Sequence, residues 1–396
     1  MFSAHTISLV QATVPVLQQH GESITSHFYS LMFEHHPEVK AFFNEAHQAS
    51  GTQARALAGA VLAYAAHIDR LDEIADALPR IIQKHAALGV LPEHYPIIGR
   101  CLLRAIKEML GDAATDDILA AWGEAYQALA DLLIAAEEQV YADHAAREGG
   151  WRGERAFRIA RREAESELIT SFYLEPADGR PLLTFAPGQY LTLVLCIDGQ
   201  PLRRNYSLSD APGKPWYRIS VKREAGGRVS NWLHDHALIE MELRVLPPCG
   251  DFMLEPTTNP QRPLVLVTGG VGITPAISML EAAAPTGRPI RFIHAARHGG
   301  VHAFRSRVDE LASVHANVQV LYVYDQPRPD DTPHATGVVT ATLLAGHLPP
   351  DRDVDLYFLG PKPFMQSVYG SGLALGVSPH RLRYEFFGPL EVLKAV

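Results

Sequence analysis

Between an apolar run ending at Thr268 and a helical stretch lies Gly269-Gly270-Val271-Gly272-Ile273-Thr274-Pro275. Glycines at such a turn let the backbone approach a pyrophosphate, the first helical amides are unpaired donors, and proline suits the first turn of a helix. A second apolar run ends in Leu359-Gly360-Pro361, which puts Gly360 and Pro361 at the carboxyl edge where ligands of such sheets sit. Upstream, Arg204-Asn205-Tyr206-Ser207 and Pro187-Gly188-Gln189-Tyr190 each set an aromatic beside a polar or cationic group. Gly226-Gly227-Arg228-Val229-Ser230 joins a glycine turn to a short helix, whose opening amides and Ser230 suit a second diphosphate. Near the C-terminus, Tyr384-Glu385-Phe386-Phe387-Gly388-Pro389 offers an aromatic to a planar ring. Any one of these is weak, since a glycine-rich turn also serves plain packing.

A different chemistry is suggested by His85, in Ile81-Ile82-Gln83-Lys84-His85-Ala86-Ala87-Leu88-Gly89, late in a helix that stops at the Gly89 to Pro92 turn. Most buried histidines are satisfied core residues, so the neighbours matter. Upstream, His36-Pro37-Glu38 leads into Phe42-Phe43-Asn44, a helical corner presenting an aromatic inward, and Gln53 and Leu57 share one helix face at i, i+4. Tyr29 lies on an earlier helix. Nineteen histidines look like a metal signal, but there is no H-E-x-x-H, and the pairs His35-His36 and His234/His236 read as solvated.

The elements that must position these residues fall into three blocks. Residues 1–148 read as helical, with apolar side chains at three- and four-residue spacing, as in Leu57, Val61, Ala65 and Ile68. Asp116-Asp117 reads as a helix start, and Pro79 and Pro92 as turns. At Arg147-Glu148-Gly149-Gly150 the pattern switches to short runs rich in aromatic and β-branched residues (LITSFYL, QYLTLVLCI, WYRISVK, ELRVL), which predicts an antiparallel β-barrel over residues 149–258. In residues 259–396 buried strands PLVLVTGG, RFIHAA, VQVLYVYD and VDLYFLG alternate with helical stretches, which predicts an α/β domain with a parallel sheet.

Composition excludes other classes. Apolar residues make up 47% and charged residues 20% of the 396, and no uninterrupted apolar run approaches the roughly 20 residues of a bilayer span, so no integral membrane association is expected. The N-terminus shows neither a basic n-region nor an A-x-A site, so no signal peptide is expected. Cys101, Cys196 and Cys249 lie far apart, which rules out a disulfide framework and fits a cytoplasmic location. With a net charge of −9 and no Lys/Arg block, nucleic acid is not an expected partner.

In this order the reductase motifs (R-x-Y-S, G-G-x-V-S, G-G-V-G-I-T-P, x-G-P-x-x-F, F-G-P) closely resemble the ferredoxin–NADP⁺ reductase family over about residues 155 to 396. The resemblance implies that Arg204, Tyr206 and Ser207, with Tyr190 beside them, hold the FAD ring and adjoining phosphate. It further implies that the Val229-Ser230 helix binds the FAD pyrophosphate and that Gly270, Gly272, Thr274 and Pro275, with Gly360 and Pro361, bind the nicotinamide nucleotide. Relatives often have cysteine where this chain has Leu359, which implies slower or altered hydride transfer. Arg297 suits a 2′-phosphate or a solvated loop equally, so NADH and NADPH both stay open.

Tyr29, Pro37, Phe43, Gln53, Leu57 and His85, in that order, resemble the globin family, and with the reductase the chain is similar to the flavohaemoglobin family from about Phe2 to Leu393. The resemblance implies that His85 is the proximal ligand of haem b, that Phe43 packs on the porphyrin, and that Tyr29, Gln53 and Leu57 line the distal face. Tyr95 and Glu137 match the positions that support the proximal histidine, and Glu385 and Phe387 those of the flavin–haem contact. A carboxylate accepting the other imidazole N–H makes the ligand more basic, which suits oxygen activation. The implied activity is nitric oxide dioxygenation: NAD(P)H reduces FAD, FAD passes single electrons to haem iron, and O₂ bound at ferrous iron oxidises NO to nitrate, in a monomer. A competing reading is a haem-based oxygen or NO sensor kept ferrous by its own reductase, with no signalling domain following. Another is a general flavin or quinone reductase with a vestigial globin, against which stand the intact His85, Tyr95 and Glu137.

Overall fold

A computed structural model describes residues 2–44, 48, 50–388 and 393. The N-terminal part is helical: α1 (Ala4–Ala12), α2 (Val14–His35), α3 (Thr52–Ala66), α4 (Leu78–Leu88), α5 (Tyr95–Leu110) and α6 (Asp116–Ala146). Local chemistry sets the ends. The Thr115 side chain accepts from the Ile118 amide, and Asp116 and Asp117 complement the positive end of α6. Gly89, at φ +70°, closes α4 in the left-handed conformation. Pro79 is not a turn residue: it sits in the first turn of α4, where a missing N–H costs nothing. Val10, Ile24, Phe28, Met32, Ala65, Ala105 and Trp122 form the core of this part. Among the described residues α6 is the one helix long and apolar enough to cross a membrane by length and composition, and it packs along α1, α4 and α5.

The second part is a six-stranded antiparallel sheet of β1 (Arg155–Ala164), β2 (Ile169–Pro176), β3 (Tyr190–Ile197), β4 (Gln200–Ser207), β5 (Tyr217–Lys222) and β6 (Glu242–Cys249), in the order β4-β3-β6-β1-β2-β5. Its edge strands meet at a Leu208–Ile219 bridge, which draws the sheet toward the expected barrel. Phe157, Phe172, Leu193, Tyr217 and Ile219 fill the interior, and α7 (Arg228–His236) closes it with Val229 and Leu233. β4 escaped the apolar-run reading because it carries Arg203, Arg204 and Asn205 and is largely unburied.

The third part is an all-parallel sheet of β7 (Leu264–Gly269), β8 (Ile290–Ala296), β9 (Val318–Tyr324), β10 (Ala335–Thr336), β11 (Asp355–Leu359) and β12 (Leu382–Tyr384), in the order β10-β9-β8-β7-β11-β12. Crossovers α8 (Ile273–Ala283), α9 (Arg305–Val314), α10 (Ala341–Ala345) and α11 (Lys362–Ala374) cover it. Every residue of β7 and of β11 is buried, as both-face coverage demands. Two histidines are core residues here: His294 and His302 stack with ring centroids 4.3 Å apart.

The Gly149-Gly150 joint is tightly fitted. Gly149 has φ +70°, and a Cβ there would lie 2.4 Å from the Leu182 carbonyl; a Cβ on Gly150 would lie 1.8 Å from His144 O. We expect Gly149→Ala to cost about 1–3 kcal/mol, from left-handed backbone strain plus overpacking. Denaturant unfolding of the full chain checks this, and an unchanged midpoint would show that the joint yields.

Candidate functional site

α4, α5 and α6 bring three side chains to one point. His85 Nδ1 lies 2.8 Å from Glu137 Oε1, and the Tyr95 hydroxyl donates to the same oxygen at 2.6 Å. Tyr95 Oη is also 3.1 Å from His85 Nδ1. An ionised carboxylate only accepts, so the imidazole proton belongs on Nδ1 and the lone pair on Nε2. Both contacts fall on Nδ1, and the imidazole remains about one third exposed while Glu137 is 2% exposed. That is the donor chemistry of a haem iron ligand oriented by its partner. Burial, the Glu137 hydrogen bond and the Glu137 charge push the Tyr95 phenol well above its ordinary value, so it stays a donor. Tyr95 is itself held by Tyr126, whose hydroxyl donates to Tyr95 O at 2.6 Å. Tyr126 lies there because position 99 is glycine: a Cβ would come 2.6 Å from its ring.

A second cluster sits on α2, α3 and the corner between them. The Tyr29 ring packs edge-on to Phe43 at 5.6 Å, and Phe33 packs on both. Leu57 joins the same core. Gln53 hydrogen-bonds Tyr29, whose phenol is pushed well above its ordinary value by burial against the pull of that bond. Tyr29 is therefore a neutral O–H donor.

On the sheet side, pairing of β3 with β4 sets Tyr190 opposite Ser207, Leu191 opposite Tyr206 and Leu193 opposite Arg204. The Tyr190 hydroxyl is buried and, among the described residues, has no hydrogen-bond partner, which fits a polar edge of a bound flavin. Val229 is buried in the barrel core, so only its backbone amide, in the first turn of α7, is left for a diphosphate. The Ser230 hydroxyl accepts from Glu224 N at 3.2 Å and shapes the Gly226-Gly227 turn. Parallel pairing of Leu359 with Thr268 sets Gly360 beside Gly269. Phe364 fills the space between them, and a Cβ on Gly272 would lie 2.4 Å from Leu359 O. Nothing lies within 4 Å of a Cβ on Gly270, at φ +55°, so the turn is open where a nucleotide would lie. Thr274 Oγ1 donates to Val271 O at 3.0 Å, and Pro361 caps α11.

Between the halves lie residues the sequence reading did not single out. Arg203 donates to Leu88 O at the end of α4, with its guanidinium 4.2 Å over the Phe42 ring. Gln83 accepts from Gly250 N at 3.0 Å, Arg80 donates to Asp251 at 3.1 Å, and Lys84 donates to Gly388 O at 2.7 Å. Only partners far away in sequence reveal these roles. Glu385 is buried beside Lys84, and burial, opposed by Lys84 and reinforced by Asp251, pushes its carboxyl up to about 7. Phe387 is half exposed, and Pro389 of the same motif lies outside the described residues.

Three family models match the chain in order: globin over residues 26–133, oxidoreductase FAD-binding domain over 156–254, and oxidoreductase NAD-binding domain over 266–369. A flavohemoprotein of Pseudomonas aeruginosa is 56% identical over 396 residues, covering all of both chains. One from Burkholderia sp. is 55% identical over 395 residues, 99% of this chain and 100% of that one. The crystal structure of a Malassezia yamatoensis flavohemoglobin with bound FAD and heme superposes with TM-score 0.85 at 29% identity, covering 98% and 99% of the two chains. The FAD/NAD-binding domain of a Vibrio cholerae nitric oxide dioxygenase gives TM-score 0.55 at 34% identity, covering 60% of this chain and all of that one.

Two expectations follow. The Glu385 proton is bound more tightly in the folded state, so its stabilisation is complete below the ordinary carboxyl range and is lost as pH rises through about 7. Glu385→Gln is expected to flatten that fall when melting temperature is followed against pH; a slope equal to the parent's contradicts the assignment. Glu137→Gln is expected to weaken the push on the imidazole and lower the iron–histidine stretching frequency of the ferrous protein by resonance Raman, with no shift as the contrary result.

Proposed function

The chain belongs to the flavohemoprotein family, and on that premise we propose that it is a nitric oxide dioxygenase consuming NAD(P)H and O₂. The observation that carries this reading is the buried Glu137 carboxylate accepting from both His85 and Tyr95. An electron-rich proximal ligand favours oxygen activation over reversible storage. The activity named for the Vibrio cholerae relative supports the same reading. When bound, nicotinamide supplies a hydride, FAD the division of its electron pair, and haem iron the place where O₂ oxidises NO to nitrate.

The chain's own residues have the following parts in this reading. His85 Nε2 holds iron, and Phe43 and Leu57 pack the macrocycle. Tyr29 would offer its O–H to a gas molecule bound on its side of the haem, and Gln53 would set the direction of that O–H. Arg204, Tyr206, Ser207 and Tyr190 hold the flavin, and the amides at Val229 and Ser230 its diphosphate. Gly270, Gly272, Thr274 and Pro275, faced by Gly360 and Pro361, hold the nicotinamide nucleotide. Glu385, with a carboxyl near neutrality, holds a proton between flavin strand and haem helix, with Phe387 beside it. Three unpaired thiols suit a reducing cytoplasm.

The test is NO consumption by the aerobic, NADH-supplied full chain. We expect His85→Ala to abolish it, and Tyr29→Phe to speed O₂ dissociation roughly tenfold, the worth of one hydrogen bond. Equal consumption by parent and His85→Ala contradicts the proposal. Tight O₂ binding without NO consumption favours a sensor.

A further inference from the structure

Three residues beyond Ser207, on the segment leaving β4, lies Asp210; on α8, the helix opened by the Gly270–Gly272 turn, lies Glu281. Both are buried, at 6% and 7% exposed. The Ala211 amide donates to Asp210 Oδ1 at 3.0 Å and to Glu281 Oε2 at 2.9 Å, which sets the two carboxyl groups side by side. Ionised carboxylates only accept, so two buried ones in contact favour keeping one proton between them.

The surroundings favour one proton on Glu281. Burial and the bond to Asp210 hold the Glu281 carboxyl above its ordinary range. Burial works against the Asp210 carboxylate too, but the bond from Glu281, Arg218 and the Trp216 N–H at 3.0 Å outweigh it and hold Asp210 below its ordinary range. Other charges face the pair from each neighbouring element. Arg218 of β5 is 3.7 Å from Glu281, Arg307 of α9 donates to Glu281 at 2.8 Å and to Glu310 at 2.7 Å, and Lys214 faces Asp210. Glu165 and Tyr173 face Arg218 from the β1–β2 side, with Tyr173 donating to Glu163 at 2.9 Å. The backbone follows the same seam: Ser278 of α8 donates to Asp210 O at 2.7 Å.

We propose that Asp210 and Glu281 are positioning residues that share a proton and, while they do, bolt the nicotinamide-binding helix to the flavin-binding strand in the geometry hydride transfer needs. The inference rests on reading Arg204–Ser207 and Gly270–Thr274 as the two cofactor sites. Removal of the proton sets a second negative charge against the first in a poorly solvated place, which Arg218 at 3.7 Å and Arg307, shared with Glu310, offset only in part. α8 then moves off the 208–211 segment and takes the Gly270–Gly272 turn with it. A misplacement of about 1 Å costs on the order of 100-fold in a reaction of this kind.

The experiment is anaerobic reduction of the FAD-loaded full chain by NADH, followed by rapid mixing across pH. In the parent chain we expect the rate to fall on the alkaline side as the pair loses its proton. Glu281→Gln keeps an N–H donor to Asp210 without a titrating proton, so it should reduce flavin within about twofold of the parent at neutral pH and lack the alkaline fall. Asp210→Asn should do the same with the roles exchanged, while Glu281→Ala should be roughly 10- to 100-fold slower at every pH. Infrared absorption of buried protonated carboxyls, recorded without nicotinamide in a Glu385→Gln background that removes the other raised carboxyl, should lose a band when Glu281→Gln is added. An alkaline fall retained in Glu281→Gln, or a carboxyl region unchanged by that substitution, overturns the proposal. A parent chain whose flavin NADH does not reduce overturns the cofactor reading instead, while the infrared band still decides the shared proton.

Discussion

One buried carboxylate oxygen ties the haem side of this protein together. Glu137 comes from α6, Tyr95 from α5 and His85 from α4, and all three meet at Glu137 Oε1. A buried ionised carboxylate is costly unless donors replace its water. Tyr95 and the imidazole are those donors, so the contact that orders three helices also orients the ring. Packing and chemistry cannot be altered separately there.

The same helix that carries His85 is gripped from the other side by the reductase. Arg80, Gln83 and Lys84, within about a turn and a half before the histidine, reach Asp251, Gly250 and Gly388, and Arg203 meets the carbonyl of Leu88 just after it. A cation at the C-terminal end of a helix also opposes its dipole. The imidazole is therefore held by Glu137 on a helix that the reductase segments fix along its length. Asp210 and Glu281 hold the next joint along, between the flavin strand and the dinucleotide turn. The two joints are built differently: the first from cations on carbonyls and carboxylates, the second around a carboxyl pair.

Much of this was legible in the sequence. β7 and β11 are wholly apolar and end in glycine turns, so both the parallel sheet and its ligand edge could be read directly. The helical part showed itself by periodicity, and the residues that became the clusters around Tyr29 and His85 stood out by order. Other features were hidden for physical reasons. Glu137 and Glu138 look alike in sequence, yet a helix turns about 100° between them. One is buried against His85, whereas the other is exposed and pairs with Arg152 at 2.6 Å. β4 has no apolar run because it is an edge strand whose Arg203 reaches across to Leu88 O and Phe42 of the helical part. Arg203, Lys84 and Asp210 gain meaning only from partners 68 to 304 positions away.

The central claim is that electrons entering as a hydride leave singly at iron, where NO becomes nitrate. The most direct measurement is the ratio of nitrate formed to NAD(P)H oxidised during aerobic NO turnover by the full chain. A hydride carries two electrons and each NO oxidised to nitrate with O₂ takes one. The account predicts two nitrate ions per NAD(P)H. NAD(P)H oxidation that proceeds with no nitrate formed would contradict it.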